Sequence, residues 1–358
     1  MRSTGSRGST GARSTTRRGA SPISTRELNR ATLARQLLLE RARLSVPKAV
    51  QRLCALQAQD PKAPYIGLWS RLDGFRKDTL TRAYERRRVV RGTLFRVTVQ
   101  LVSAADHPGF AAVMQNRWTD EFANWGIAQD ELAGRIRALA EDGPFKMGKA
   151  NAATPELPER YRWRVRCLTP LVHVPPAGTW GTVGVTATTA ERWLGVPPPT
   201  HPEGAALLVR RYLGAYGPAS REDLLRFAGL RVKDVQPGLE ALEGQLVRFE
   251  TEDGRTLYDL RRAPRPPADT PAPVRFLPMW DHLILGHDER SRTLPAEYRS
   301  TVILKNGDVR QTFLVDGVVA GLWSHGDGRV RTEPFAPLPR PARREVEDEA
   351  RRLAGFLE

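Results

Sequence analysis

The most constraining stretch of the chain lies between residues 205 and 260. Apolar residues recur at helical spacing over 205–216 and stop at Gly217-Pro218, a pair that ends helices. Ser220 with Asp223 three positions later has the form of a capping box opening a helix over 221–228. Gly229 suits a tight turn, and 231–242 reads as a third helix. Two strand-like runs follow, 246–249 and 256–260, with Asp253-Gly254 between them as a hairpin signal. Three helices followed by an antiparallel hairpin is the order of a winged helix-turn-helix.

Weaker copies of the same order are expected upstream. The first unit spans 27–104. Its opening helix carries Leu33, Leu37 and Leu38, and a second helix is capped by Ser45 with Pro47 in its first turn. That second helix is expected to run out at Gln57-Ala58-Gln59-Asp60-Pro61. Two more follow over 64–72 and 79–87, then strands at 89–90 and 94–102 around Arg91-Gly92-Thr93. The second unit spans 105–200, with helices expected at 106–122, 128–141 and 158–169 and a loop at 144–155. A strand at 171–174 then leads into a wing at 175–180. The third unit spans 201–262, and a Pro/Arg-rich linker follows over 261–273.

A small antiparallel, barrel-like β-domain is expected over 272–340. Its strands fall at 274–277, 300–304, 311–315 and 318–323, with hairpin turns at Asn306-Gly307 and Asp316-Gly317. A helix closes the chain within 341–358. Residues 1–26 hold no acidic residue and little apolar surface, so they are expected to form a disordered basic tail. The fold class is α+β.

Composition narrows the chemistry. No apolar run approaches the length of a membrane helix. Cys54 and Cys167 are the only cysteines, which excludes a disulfide framework and a cysteine-rich zinc site and suits reduced thiols in a cytoplasmic protein. The net charge is +16, and only 7 of the 56 basic residues are Lys. Arg in place of Lys can follow from genome composition. An excess of bases over the 40 acids cannot, and it favours a polyanion such as nucleic acid. Phosphate-binding loops, dinucleotide fingerprints, zinc-protease and serine-elbow motifs are absent. His282 and His287, five apart, read as surface histidines near a ligand groove; no metal and no cofactor are expected. The two amides of Gln57 and Gln59 suit a polar helix terminus, with Asp60 capping before Pro61.

A resemblance gives those amides another meaning. Residues 56–72, Leu-Gln-Ala-Gln-Asp-Pro-Lys-Ala-Pro-Tyr-Ile-Gly-Leu-Trp-Ser-Arg-Leu, resemble the AlkZ-like winged-helix DNA glycosylase family. Val90-Arg91-Gly92-Thr93-Leu94, Leu168-Thr169-Pro170, Phe276-Leu277-Pro278-Met279-Trp280-Asp281 and Asp288-Glu289-Arg290-Ser291-Arg292 are similar to that family as well. The resemblance implies three tandem winged-helix units and a β-barrel wrapped into a C-shaped, concave DNA-binding body. It also implies a catalytic Gln–apolar–Gln motif at Gln57, Ala58 and Gln59. The implied activity is that of a monofunctional DNA glycosylase of the cytoplasmic nucleoid, acting as a monomer on double-stranded DNA with N7-alkylated or crosslinked purines. The departure is Gln100, where relatives are expected to carry the His of Thr-x-His; an amide cannot titrate there. DNA contacts are expected from Arg91, Arg96, Arg231, Lys233, Arg290 and Arg292, and Asp60, Gln100 and His282 are expected near the substrate. No interleaving of aromatic and basic residues is anticipated. The alternative is a non-catalytic winged-helix DNA-binding protein or regulator.

Overall fold

The computed structural model describes residues 22–182 and 184–358. The helices in chain order are α1 (Thr25–Arg35), α2 (Val46–Arg52), α3 (Ala63–Arg71), α4 (Lys77–Glu85), α5 (His107–Asn124), α6 (Gln129–Glu141), α7 (Met147–Ala153), α8 (Ala190–Leu194), α9 (His201–Tyr216), α10 (Arg221–Ala228), α11 (Val232–Ala241), α12 (His282–Leu285), α13 (Arg299–Val302) and α14 (Arg340–Leu357). The strands are β1 (Leu56–Gln57), β2 (Val89–Thr93), β3 (Val99–Ser103), β4 (Phe145–Lys146), β5 (Leu171–His173), β6 (Thr186–Thr189), β7 (Leu246–Glu250), β8 (Thr256–Leu260), β9 (Arg275–Leu277), β10 (Thr312–Val315), β11 (Val318–Gly326) and β12 (Arg329–Pro334).

The 201–260 segment folds as its caps dictate. Ser220 and Asp223 make a reciprocal capping box, Gly229 ends α10 in the left-handed region at φ 71°, and β7 pairs with β8 in register from Leu246↔Leu260 to Glu250↔Thr256. Upstream, the hairpins do not stay separate. One sheet of order β1-β3-β2-β5-β6-β4 runs through both expected units, joined where Gly92 of β2 faces Val172 of β5. A Cβ at Gly92 would lie 2.6 Å from the Leu171 carbonyl oxygen, so only glycine lets these strands meet. Beneath the sheet, Phe95, Phe110, Phe227, Tyr212 and Tyr216 form one aromatic core with α5, α9 and α10.

Several expectations fail for identifiable reasons. α2 ends at Arg52, and Cys54 takes a left-handed φ of 67°. Leu53 through Ala58 are buried without a break. A surface helix cannot bury six consecutive positions, but a strand covered on both faces can, and Leu56–Gln57 is strand β1. Strand β2 continues through Arg91-Gly92-Thr93, and the turn falls later, at a 3-10 turn over Phe95–Val97. The expected loop at 144–155 holds β4 and α7, anchored by buried Phe145 and Ala150, too sparse a pair to give a period. The helix expected at 158–169 is a 3-10 segment, Glu159–Cys167.

The strand expected at 300–304 is α13, with only an isolated bridge at Ile303↔Val309. In its place the fourth strand of the β-domain is β12, whose Arg-Val-Arg-Thr-Glu-Pro sequence offers no apolar face because it is a charged edge. The sheet order β12-β11-β10-β9 is open, with β9 and β12 at its edges, so it is not a closed barrel. Of the expected basic tail, residues 1–21 lie outside the described residues, while residues 22–26 are ordered. Ile23 bridges Thr251, and Ser24 caps α1 in a capping box with Glu27.

Buried ion pairs cross-brace the parts. Arg35 of α1 grips Asp259 of β8 at 2.7 and 2.8 Å, and Arg71 of α3 grips Asp281 at 2.7 and 2.9 Å. Asp281 also caps α12 through the Leu283 amide. No helix among the described residues is long and apolar enough to cross a membrane.

Candidate active site

The Gln57–Gln59 segment is not the end of a helix: Gln57 ends strand β1, Ala58 still donates to the Val99 carbonyl at 2.9 Å, and the chain bends at Gln59. Side chains two apart on a strand share a face, but Gln59 lies beyond β1, so the strand period does not place its side chain. Gln57 pairs with Gln100 of β3, which in turn pairs with Gly92 of β2. Cross-strand partners share a face as well, so Gln100 stands beside Gln57.

The two glutamines differ in setting. Gln57 is buried, and its Oε1 accepts the Gln59 backbone N–H at 2.8 Å. That donor fixes which amide atom faces inward. Gln59 is exposed. Gln100 is fully buried; its Nε2 donates to Thr98 Oγ1 at 2.7 Å, and Thr98 Oγ1 donates onward to the Phe95 carbonyl at 2.9 Å. This polarity leaves Gln100 Oε1 as a buried acceptor with no donor among the described residues. Asp60 Oδ1 accepts the Lys62 backbone N–H at 3.0 Å in a turn across Pro61, while α3 starts from Lys62 without a side-chain cap.

Arg91 holds the loop from beneath. Its Nε and Nη2 donate to the Ala58 carbonyl at 2.8 and 2.5 Å, and Nη2 reaches the Gln59 carbonyl at 3.4 Å. The side chain is buried, and burial lowers its pKa from the usual guanidinium range. Gly178, at φ 86°, roofs it: a Cβ there would lie 2.0 Å from Arg91 Nη1. Tyr84 secures the same roof by donating to the His173 carbonyl at 2.6 Å.

His282 is buried rather than on the surface, as is His287. A carbonyl only accepts, so His282 donates from Nδ1 to the Ala55 carbonyl at 3.1 Å, leaving Nε2 as an acceptor 3.5 Å from Arg96 Nη2. Burial first, and Arg96 second, push its pKa down to about 3, so it is neutral and acts on the approach to β1 as a brace.

The expected DNA-contacting cations are placed very differently from one another. Arg91 and Arg96 are engaged by backbone carbonyls, the latter by that of Phe227 while it stacks 5.6 Å from the Phe227 ring. Arg290 donates to the Ile284 carbonyl at 3.0 Å and Arg292 to the Pro218 carbonyl at 3.0 Å, and both are buried. All four turn at least one guanidinium donor inward to a backbone carbonyl. Arg231 and Lys233, at the start of α11, do reach solvent; both pair with Asp120, Lys233 at 2.7 Å. Sequence reasoning missed Lys62 and Lys77, whose ammonium groups lie 5.4 and 4.2 Å from the Trp180 ring and make no ion pair among the described residues. The available signal was their type, since Lys is rare in this chain.

The arrangement offers a buried neutral amide at the end of β1, an exposed one two residues on, a third across the ladder, and an arginine that holds the intervening carbonyls. Residues 50–356 match the family described as DNA glycosylase AlkZ-like. The chain is 26% identical over 355 residues to the interstrand DNA cross-link repair glycosylase of Streptomyces sahachiroi, covering 90% of this chain and 93% of that protein. The solved structure of Streptomyces sahachiroi DNA glycosylase AlkZ shares the fold, with a TM-score of 0.80 at 20% identity over 94% of this chain and 97% of that one. The chain belongs to the AlkZ-like DNA glycosylase family.

Proposed function

We propose that the protein hydrolyses the N-glycosidic bond of N7-alkylated purines in double-stranded DNA and unhooks interstrand crosslinks, with Gln57 and Gln59 as catalytic residues. The observation that carries this reading is the contact just past β1, where Gln57 Oε1 pins the backbone N–H of the exposed Gln59. Alkylation at N7 makes the base cationic and a good leaving group, so little general-acid help is needed. The sugar develops positive charge, and amide oxygens aimed at it stabilise that charge while orienting the attacking water. Gln57 Oε1 has a second lone pair, so it can hold the Gln59 amide and still accept from water. Gln59 takes the position nearer the sugar. Gln100, which cannot titrate, adds a neutral acceptor beside them.

A crosslinked base cannot be swung fully into a closed pocket. The exposure of Gln59 supports an open site that suits such a lesion. In this reading three winged-helix units and the β-domain form a concave body around duplex DNA. The enzyme acts as a cytoplasmic, nucleoid-associated monomer, because three unequal units in one chain lack the symmetry of a palindrome-binding dimer. Arg231, Lys233, Lys62 and Lys77 are the cations positioned for phosphate.

The test is incubation with duplex carrying N7-methylguanine or a defined crosslink, followed by alkaline cleavage at abasic sites. Strand breaks with wild-type protein are expected. Unbroken strands across several N7 lesions, with tight DNA binding retained, would favour the non-catalytic alternative.

A further inference from the structure

The 3-10 segment Glu159–Cys167 alternates Arg with aromatic residues through Arg160, Tyr161, Arg162, Trp163 and Arg164, an interleaving that the sequence analysis did not anticipate. Its side chains build a chain of planar groups. Tyr161 stacks on Trp125 at 4.0 Å with 4° between the rings, and the Arg160 guanidinium lies 4.8 Å from the Tyr161 ring. The Arg164 guanidinium lies 5.5 Å from Trp125 and 4.3 Å from Trp163, and so links the two. Glu121 of α5 fixes Arg164 at 2.8 Å.

Trp163 ends this series. It is 48% exposed, among the largest exposures of any bulky apolar side chain described, and it stacks on no other ring among the described residues. The Arg164 guanidinium packs over the ring, and about half of the residue still reaches solvent. An indole left in water costs apolar burial, yet here it is held in place by its Nε1 donating to the Arg160 carbonyl at 3.2 Å. The helix that fixes Arg164, α5, also carries Asp120, which binds Arg231 and Lys233 at the start of α11.

Arg162 pairs with Glu159 at 3.0 Å and Arg164 with Glu121, whereas Arg160 makes no ion pair among the described residues. We propose that the open face of Trp163 is a stacking site for an unpaired nucleobase, with Arg160 holding a flanking phosphate. A flat ring backed by a guanidinium accepts any base by its π-face, and the surrounding positive charge matches a nucleic-acid strand and no apolar partner. Opening the duplex at a lesion frees a base, and Trp163 receives it. The inference rests on the DNA-binding part of the proposed function and is independent of the chemistry at Gln57 and Gln59.

The experiment measures binding of wild type, Trp163→Ala and Trp163→Phe to a fully paired duplex and to the same duplex with one unpaired adenine, across a salt series. Trp163→Ala is expected to lose about 30-fold in affinity for the unpaired-base duplex, the middle of the range for one stacked base. Its affinity for the paired duplex and its salt dependence should stay at wild-type values, because no charge is removed. Trp163→Phe should recover most of the loss. Equal binding of the unpaired-base duplex by wild type and Trp163→Ala would overturn the proposal, as would an equal loss on both duplexes. Glycosylase activity on an alkylated duplex is read separately. Loss of stacking without any base release would retain the Trp163 site and reject the enzymatic reading.

Discussion

Replacing Arg91 by methionine distinguishes a floor beneath the active loop from a phosphate contact. The substitution keeps the aliphatic stem and removes the donors that hold the Ala58 carbonyl at 2.8 and 2.5 Å. A buried carbonyl left without its partner costs about 1–3 kcal/mol. Relief of the buried guanidinium's desolvation offsets part of this, so the net loss should be about 2 kcal/mol. For a chain of this size that lowers Tm by several degrees. The larger effect is on chemistry. A displacement of about 1 Å in a catalytic group costs on the order of 100-fold in rate, and Ala58 lies between the two glutamines. Single-turnover base release on an N7-methylguanine duplex should therefore fall by roughly 100-fold, while Kd and its salt dependence hold steady. Were Arg91 a phosphate contact, the slope of log affinity against log salt would shrink by about one and the rate at saturation would persist. That second pattern would refute the structural reasoning.

Three other outcomes follow from the fold. Burial pushes His107 down to about 4 and His173 and His282 down to about 3, whereas the unfolded imidazoles titrate near 6.5. Unfolding therefore takes up protons below about pH 6.5, and stability falls as pH drops, by about 1.4 kcal/mol per proton per pH unit; a Tm that is flat from pH 6.5 to 5 would contradict this. Arg71→Ala should cost about 3–5 kcal/mol in denaturant unfolding because it strands the buried Asp281 carboxylate, and a change within error would show that the pair is dispensable. Ser24→Ala should cost about 1 kcal/mol by opening the capping box of α1. No change in Tm would mean that this end of the chain carries no stability.

What could be read from the sequence followed from how local each signal is. The caps at Ser220 and Gly229 and the Asp253-Gly254 turn specify 220–260 without help from the rest of the chain, and that segment matches. By type and spacing Gln57 and Gln59 read as a polar helix terminus, and only the family resemblance singled them out; their conformation was not legible. Burial of Leu53 to Ala58 on both faces depends on β3 and on distant His282. The merging of the first two hairpins into one sheet turns on a glycine whose partner lies 80 positions away. Charge was least informative. An arginine's position in sequence says nothing about where its guanidinium ends, and Arg91, Arg96, Arg290 and Arg292 turn inward to carbonyls. Arg160 to Arg164 went unnoticed because a polar 3-10 segment has no apolar period to mark it.

The most direct measurement compares single-turnover base release from an N7-methylguanine duplex by wild type and Gln59→Ala at saturating protein. Gln59 is exposed, so the variant should keep the wild-type Tm and DNA affinity while the rate falls by about 10²–10³, the scale of losing one preorganised polar group at a charged transition state. A Gln59→Ala enzyme that folds, binds and releases base at the wild-type rate would contradict the assignment of the chemistry to this segment.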